Sequence, residues 1–368
     1  MSTQPKFPFL KNIGFMLTYK CTIACPHCIV EAGPKRRKEM ALGEALDWIS
    51  QVSTYRNKYI LSLGLTGGEP FYDLERLEVI SRYARQLGLF VTTVTNAFWA
   101  STKERALEVL QRMQGIQFIS LSTDAHHLKQ IPLENIINAA WAARKIGHLY
   151  DLAICTESLD DPSFLQLLET LHANGESEHI KSTVTAPIGR AQNQTEHANF
   201  VMQSVPAGGG CSLASSPLVF TNGKVIGCTG AFVALPPNHP MLLGDLRQNS
   251  LETILDRSEN NPYVHAQRLW GPYGFYAILR EHGFDHLLPK EYIKDCQCDA
   301  CFKLFTNQRI IKALDEIMWD SEMSKIIAYG RAAYLEEPEM AQALGLPIET
   351  LTGPPLNGNL VSGSNNSE

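Results

Sequence analysis

The stretch Asn12–Cys28, "NIGFMLTYKCTIACPHC", runs an apolar segment straight into three cysteines spaced C-x3-C-x2-C. "NIGFMLTY" (12–19) reads as a strand, so the thiols sit just past its C-terminal end. Outward from it, strand and helix signals alternate. Leu42, Leu46, Ile49 and Val52 share one helical face. "YILSLGLT" (59–66) is an apolar strand ending in Gly67-Gly68. Asp73 caps a helix carrying Leu74, Leu77, Ile80 and Leu87, closed by Gly88. "LFVTTVT" (89–95) is β-branched, and Ser101 with Glu104 forms a capping-box pair. "IQFISLS" (116–122), a helix over 133–146, "LYDLAICT" (149–156), a helix opened by Asp161-Pro162, and "IKSTVTA" (180–186) complete the series. Six βα units in a row predict a parallel sheet with helices outside. A doubly wound sheet and a barrel both fit that periodicity, and both place chemistry at the C-terminal strand ends.

The chain has 368 residues, 44% hydrophobic, with a net charge of −6, which suits a globular protein with a sizeable core and not a general nucleic-acid binder. No apolar run reaches membrane-spanning length, and the N-terminus has no signal-peptide core, so no membrane role and a cytoplasmic location are expected. In a reducing compartment, nine cysteines read as metal ligands or catalytic groups before disulfides. Eight fall in three zones, 21–28, 211–228 and 296–301; Cys155 stands alone.

The alternation stops after Arg190. Residues 191–210 are polar and glycine-rich and read as a linker. In "SPLVFTNGKVIGC" (216–228), Asn222-Gly223 supplies a positive-φ hairpin turn. Residues 262–289 form an aromatic, histidine-rich helical insertion, "CQCDAC" follows at 296–301, and helix is expected over about 306–335. The division expected is a core at 10–190, a second unit at 191–305, a helical segment at 306–352 and a disordered tail at 353–368.

Structural zinc sites want four protein ligands, usually from paired C-x2-C units. Three clustered thiolates suit a cubane iron–sulfur cluster with one iron left open. Together with "LTGGEP" (65–70) at the end of the second strand, the motif resembles the radical S-adenosylmethionine (SAM) superfamily. The resemblance covers about residues 10–190 and implies a partial (β/α)6 TIM-like barrel. It makes Cys21, Cys25 and Cys28 the ligands of a [4Fe-4S] cluster whose open iron is chelated by SAM. Gly67, Gly68 and Glu69 would hold the SAM ammonium, the glycines by close backbone approach and the carboxylate by pairing. Asn96, Ser122 and Asp124 would hold ribose and carboxylate, with Glu157 a weaker candidate. "APIGRA" (186–191) resembles a segment near the adenine. Where relatives carry an aromatic residue before the last cysteine, this chain has His27.

Cys211, Gly223 and Cys228 resemble the start of SPASM and twitch domains, with Cys298-x2-Cys301 completing four ligands for one auxiliary [4Fe-4S] cluster. Cys296 competes with Cys298 for the third position. Four structural cysteines could also hold zinc. Cys155 reads either as an inert core thiol or as a hydrogen-atom donor to a substrate radical. His126-His127 stand near the mouth, the aromatics Trp270, Tyr273, Phe275 and Tyr276 read as packing or pocket lining, and "KRRKE" (35–39) is a solvated face that also suits docking of a flavodoxin or ferredoxin electron donor.

The resemblance implies a 5′-deoxyadenosyl radical that abstracts hydrogen from a C–H bond. The expected substrate is a ribosomally made peptide, oxidatively crosslinked or epimerised, and an auxiliary cluster beside it would favour net oxidation. A separate partner would present its leader, because the barrel begins almost at once. The alternatives are a small alcohol or sugar, dehydrogenated or epimerised, and a non-catalytic electron-transfer protein, which leaves Gly67, Gly68 and Glu69 unexplained.

Overall fold

The computed structural model describes residues 8–193, 200–236 and 238–346, so the expected tail and part of the expected linker lie outside the described residues. Six parallel strands form the frame: β1 (Asn12–Thr18), β2 (Ser62–Gly67), β3 (Phe90–Thr95), β4 (Phe118–Thr123), β5 (Leu149–Thr156) and β6 (Ile180–Val184), paired in chain order. Helices α1 (Leu42–Thr54), α2 (Leu74–Gln86), α3 (Lys103–Arg112), α4 (Leu133–Ile146) and α5 (Pro162–Ala173) connect them.

The strands alternate between two faces, as a period of two requires. Leu63, Leu65, Val91, Ile119, Leu121, Leu152 and Ile154 are buried in the main hydrophobic core. Their neighbours Gly64, Thr92, Ser120, Ser122, Ala153 and Cys155 line a cavity of about 630 Å³, which β1 to β5 all border. The sheet therefore curves around that space, as a partial barrel does. Asp73 and Asp161 cap α2 and α5 as expected, each accepting from backbone N–H groups. The cap of α3 is Thr102, whose Oγ1 accepts from Arg105 N at 3.2 Å, not Ser101.

The segment after β6 departs from the expected linker. β7 (Met202–Gln203) pairs with a later strand in a small antiparallel ribbon. β8 (Leu218–Val219) then joins β1 in parallel, with Gly14 opposite Leu218. β9 (Lys224–Ile226) and β10 (Leu242–Asp245) extend the sheet antiparallel, giving nine strands with β10 and β6 at its edges. Gly14 permits the junction: a Cβ there would stand 3.1 Å from Leu218 Cδ1. In the β8–β9 turn only Gly223 has positive φ, at 84°, and Asn222 Oδ1 instead accepts from Lys224 N. The remaining elements are α6 (Leu251–Ser258), α7 (Pro262–Glu281), β11 (Tyr292–Ile293, the partner of β7), α8 (Gln297–Thr306), α9 (Gln308–Met318), α10 (Ser321–Tyr334) and α11 (Met340–Ala343). The helix expected over 306–335 is thus two, α9 and α10, parted before Asp320; Asn307 caps the first and Asp320 the second. Among the described residues no helix is long and apolar enough to cross a membrane.

Candidate functional site

Cys21, Cys25 and Cys28 lie on the loop after β1 and line the cavity. Backbone contacts fix the loop: Gly33 N donates to Tyr19 O, Cys21 N to Gly33 O and Cys28 N to Cys25 O. Burial raises the Cys21 thiol to about 11 and the Cys25 thiol to about 12, with neighbouring negative charge adding to it. Thiols held protonated this way become thiolates when a metal replaces the proton. Among the described residues, His27, Asp124 and His127 bring potential ligand atoms within 4.8 Å of one another.

The two glycines at the end of β2 serve the cysteine loop directly. A Cβ on Gly67 would stand 2.5 Å from Thr18 O, and one on Gly68 would stand 2.1 Å from Lys20 O. Gly68 N donates to Thr18 O and Glu69 N to Lys20 O, at 2.7 and 2.8 Å. The close approach is therefore to the chain leading into Cys21, while both glycines still border the cavity.

The Glu69 side chain differs from expectation. It is fully buried and does not line the cavity. Its carboxylate accepts from Phe71 N (3.0 Å), Thr95 Oγ1 (2.8 Å) and Asn96 N (2.8 Å), tying the end of β2 to the end of β3. Burial raises its carboxyl to about 7, against the lowering effect of those donors. It positions Asn96, whose amide reaches Thr22 Oγ1 at 3.3 Å and faces Cys21 Sγ at 3.7 Å.

Beyond β4, Ser122 and Asp124 line the cavity. The Asp124 carboxylate, however, is already engaged by its own loop. It accepts from His126 N and His127 N, lies 2.7 Å from His127 Nδ1 and 3.3 Å from His27 Nε2. Desolvation opposes its ionisation, but the hydrogen bonds from His127 and His27 hold it well below the usual carboxylate range. His127 Nε2 in turn faces Cys25 Sγ at 3.6 Å. Glu157 is not among the cavity residues; it faces His126 at 3.8 Å. Cys155 does line the cavity, and burial, with Asp124 nearby, raises its thiol to about 12.

Residues 15–147 match the family profile of the radical SAM superfamily. Residues 15–147 form a radical SAM domain. The chain is 22% identical over 305 residues to YydG of Bacillus subtilis (strain 168), named as a peptide biosynthesis protein, covering 81% of this chain and 92% of that one. Among solved structures it is similar to BtrN in complex with AdoMet and 2-DOIA, at 15% identity and TM-score 0.38 over 70% of this chain and 87% of that one. A dihydrodipicolinate synthase family protein from Coccidioides immitis matches at 12% identity and TM-score 0.30, over 88% and 98% of the two chains. At such scores neither likeness bears on function.

The radical SAM domain's cysteine loop is clamped from a segment whose part the sequence did not reveal. The Arg190 guanidinium donates to Cys25 O and Ala32 O, and its backbone N to Cys28 O. Gly189, at φ 62°, lets the chain pass so close that a Cβ would stand 2.4 Å from Ile29 O. "APIGRA" thus braces the back of the loop and is absent from the cavity wall. The arginine was visible in the sequence, but no local spacing ties it to cysteines about 160 residues away.

The second set gathers outside that domain. Cys211, Cys228, Cys298 and Cys301 interact with one another: the negative charge of each of the first three would raise the Cys301 thiol further, after burial. Gly230 N donates to Cys228 Sγ at 3.1 Å, and a Cβ on Gly230 would stand 3.0 Å from Cys298 Sγ. Gln267 Nε2 donates to Cys301 Sγ at 3.1 Å, while its backbone carbonyl accepts from Cys211 N. Cys296 neighbours Cys298 but packs instead with Val184 and Ile293. Trp270 and Phe275 pack in the main core, Tyr276 stands edge-on to Tyr292, and none of these aromatics, nor Tyr273, lines the cavity.

Proposed function

We propose that this radical SAM enzyme modifies a ribosomally made peptide, and that the modification is epimerisation. Cys21, Cys25 and Cys28 would hold a [4Fe-4S] cluster with SAM at its open iron. Cys211, Cys228, Cys298 and Cys301 would hold one auxiliary [4Fe-4S] cluster in a twitch-like unit. When bound, the first cluster and SAM supply a 5′-deoxyadenosyl radical able to take hydrogen from a C–H bond. This chain's residues supply the rest. Gly67 and Gly68 offer backbone at the cavity edge, and Asn96 and Ser122 offer polar side chains.

The observation that carries the reading is that the Cys155 thiol opens into the same cavity as the three loop cysteines. A neutral thiol there can return a hydrogen atom to the opposite face of a substrate radical. The Cys155 sulfur then needs one electron and one proton before the next turnover, and a fully ligated auxiliary cluster is suited to relay the electron. Apart from the cysteines, Asp124, His27 and His127 are the ionisable side chains on the wall. That suits a neutral peptide segment, in keeping with the name of the Bacillus relative.

The test is incubation with SAM, a reductant and candidate precursor peptides in D2O, followed by mass spectrometry. Epimerisation adds one deuterium without other change. Loss of two hydrogens would instead signal oxidation and sink this reading. Cys155→Ala should still form 5′-deoxyadenosine but leave the deuterium out; an unchanged product would remove Cys155 from the reaction.

A further inference from the structure

The loop that carries the first cysteine set leaves the cavity at Ala32 and continues into four consecutive cations, Lys35, Arg36, Arg37 and Lys38. All four are exposed, in a chain whose net charge is −6. Among the described residues, no carboxylate forms an ion pair with any of them. The carboxylate beside them, Glu39, faces Lys20 at 3.3 Å and Arg76 at 3.9 Å, two further cations. The run is also held in shape. Tyr19 N donates to Lys38 O, Arg36 N to Gly33 O and Met40 N to Leu17 O, pinning the strap to β1. Arg36 lies over the Tyr19 ring, and Arg37 donates to Pro34 O.

Its position adds to its charge. Residues 33–38 do not line the cavity, so this is the outer side of the loop. Ala32 N donates to Cys28 Sγ at 3.3 Å, and Cys21 N donates to Gly33 O at 3.4 Å. Pro34, already exposed, is two residues from a hydrogen bond onto one of the three sulfurs. A basic patch fixed in place loses little entropy on meeting an acidic partner and speeds the encounter.

We propose that Lys35–Lys38 is the docking surface for an acidic one-electron carrier protein, such as a flavodoxin, that reduces the cluster on Cys21, Cys25 and Cys28. The proposal rests on the function above. One electron leaves the carrier's reduced cofactor, which is oxidised by one, and enters the cluster, which is reduced by one; no bond is made or broken at the interface. An acidic substrate leader is the other partner such charge could attract, but these residues lie off the cavity wall that a substrate must reach.

The experiment uses the reconstituted enzyme and a flavodoxin hydroquinone in anaerobic stopped flow, with photoreduced deazaflavin as a small reductant that needs no docking. Lys35→Glu/Arg36→Glu should slow reduction by flavodoxin at low salt at least about tenfold and flatten its salt dependence. Iron content and reduction by deazaflavin should stay at the wild-type level. The milder Lys35→Gln/Lys38→Gln should fall between, which guards against a folding defect in the reversal. An unchanged flavodoxin rate and salt slope overturns the proposal. So does a charge reversal that weakens binding of an acidic precursor peptide while leaving flavodoxin reduction intact. A wild-type chain that binds no iron at the first set would overturn the function itself, and deazaflavin reduction reports that failure separately.

Discussion

Glu69 makes a quantitative prediction about stability against pH. Its carboxyl is fully buried and raised by burial from 4.5 to about 7. An acid that binds its proton more tightly when folded favours folding most below its unfolded pKa. That contribution is present in full below about pH 4.5 and is lost as pH climbs to about 7. The difference of about 2.5 units corresponds to about 3 kcal/mol at about 1.4 kcal/mol per unit. Glu69→Gln removes the titration and keeps the shape. It also leaves one amide N–H₂ among three protein donors, at a roughly constant cost of about 1–3 kcal/mol. The histidines His239 and His265, whose pKa values are lowered chiefly by burial, bend the stability curve the opposite way, but in both proteins alike. Urea unfolding of the cluster-free chain at several pH values from 4.5 to 8 measures the gap between wild type and variant. The variant should gain about 3 kcal/mol relative to wild type across that window. A gap that stays constant would show that Glu69 is ionised throughout, and that its three donors outweigh its burial.

Other outcomes follow from the same contacts. Reconstituted wild type should carry about eight irons per chain. Cys298→Ala should retain about four, whereas Cys296→Ala should keep all; the reverse result by iron assay would exchange their roles. Gln267→Leu removes the donor to Cys301 Sγ and should move the auxiliary cluster to a more negative potential in an EPR-monitored titration, leaving the first cluster unchanged. An unmoved potential would make Gln267 merely a packing residue. Gly68→Ala drives a methyl toward Lys20 O and should lower stability by at least about 1–3 kcal/mol. Gly43→Ala, with nothing within 4 Å, should raise it by about 0.5–1 kcal/mol, and equal melting temperatures for the two would contradict the strand-end packing.

The periodic part of the molecule was readable. β1 to β6 and the helices between them carry apolar spacings that a local window captures, and the cysteine loop sits where a first parallel strand must end. What escaped is long-range or directional. Glu69 is in a cavity-facing motif, yet its carboxylate turns toward β3, which no spacing reveals. Asp124 looked free to hold a ligand, but the two histidines that follow it fold back onto it, while His27 arrives from a different loop. Arg190 looks like one more surface cation until the fold sets it against Cys25 and Ala32. The hairpin at 216–228 was legible from Asn222-Gly223, but nothing local shows that it pairs with β1, Leu218 opposite Gly14, a residue some 200 positions earlier.

That pairing has a consequence for redox chemistry. The first cysteine loop leaves β1, and the second set begins just before β8, the strand bonded beside it. The interval between the two sets is therefore ruled by a hydrogen-bonded lattice, not by a swinging appendage. Electron tunnelling falls off steeply with separation, so the two clusters proposed above, if held on these sets, would keep a constant transfer rate while substrates come and go.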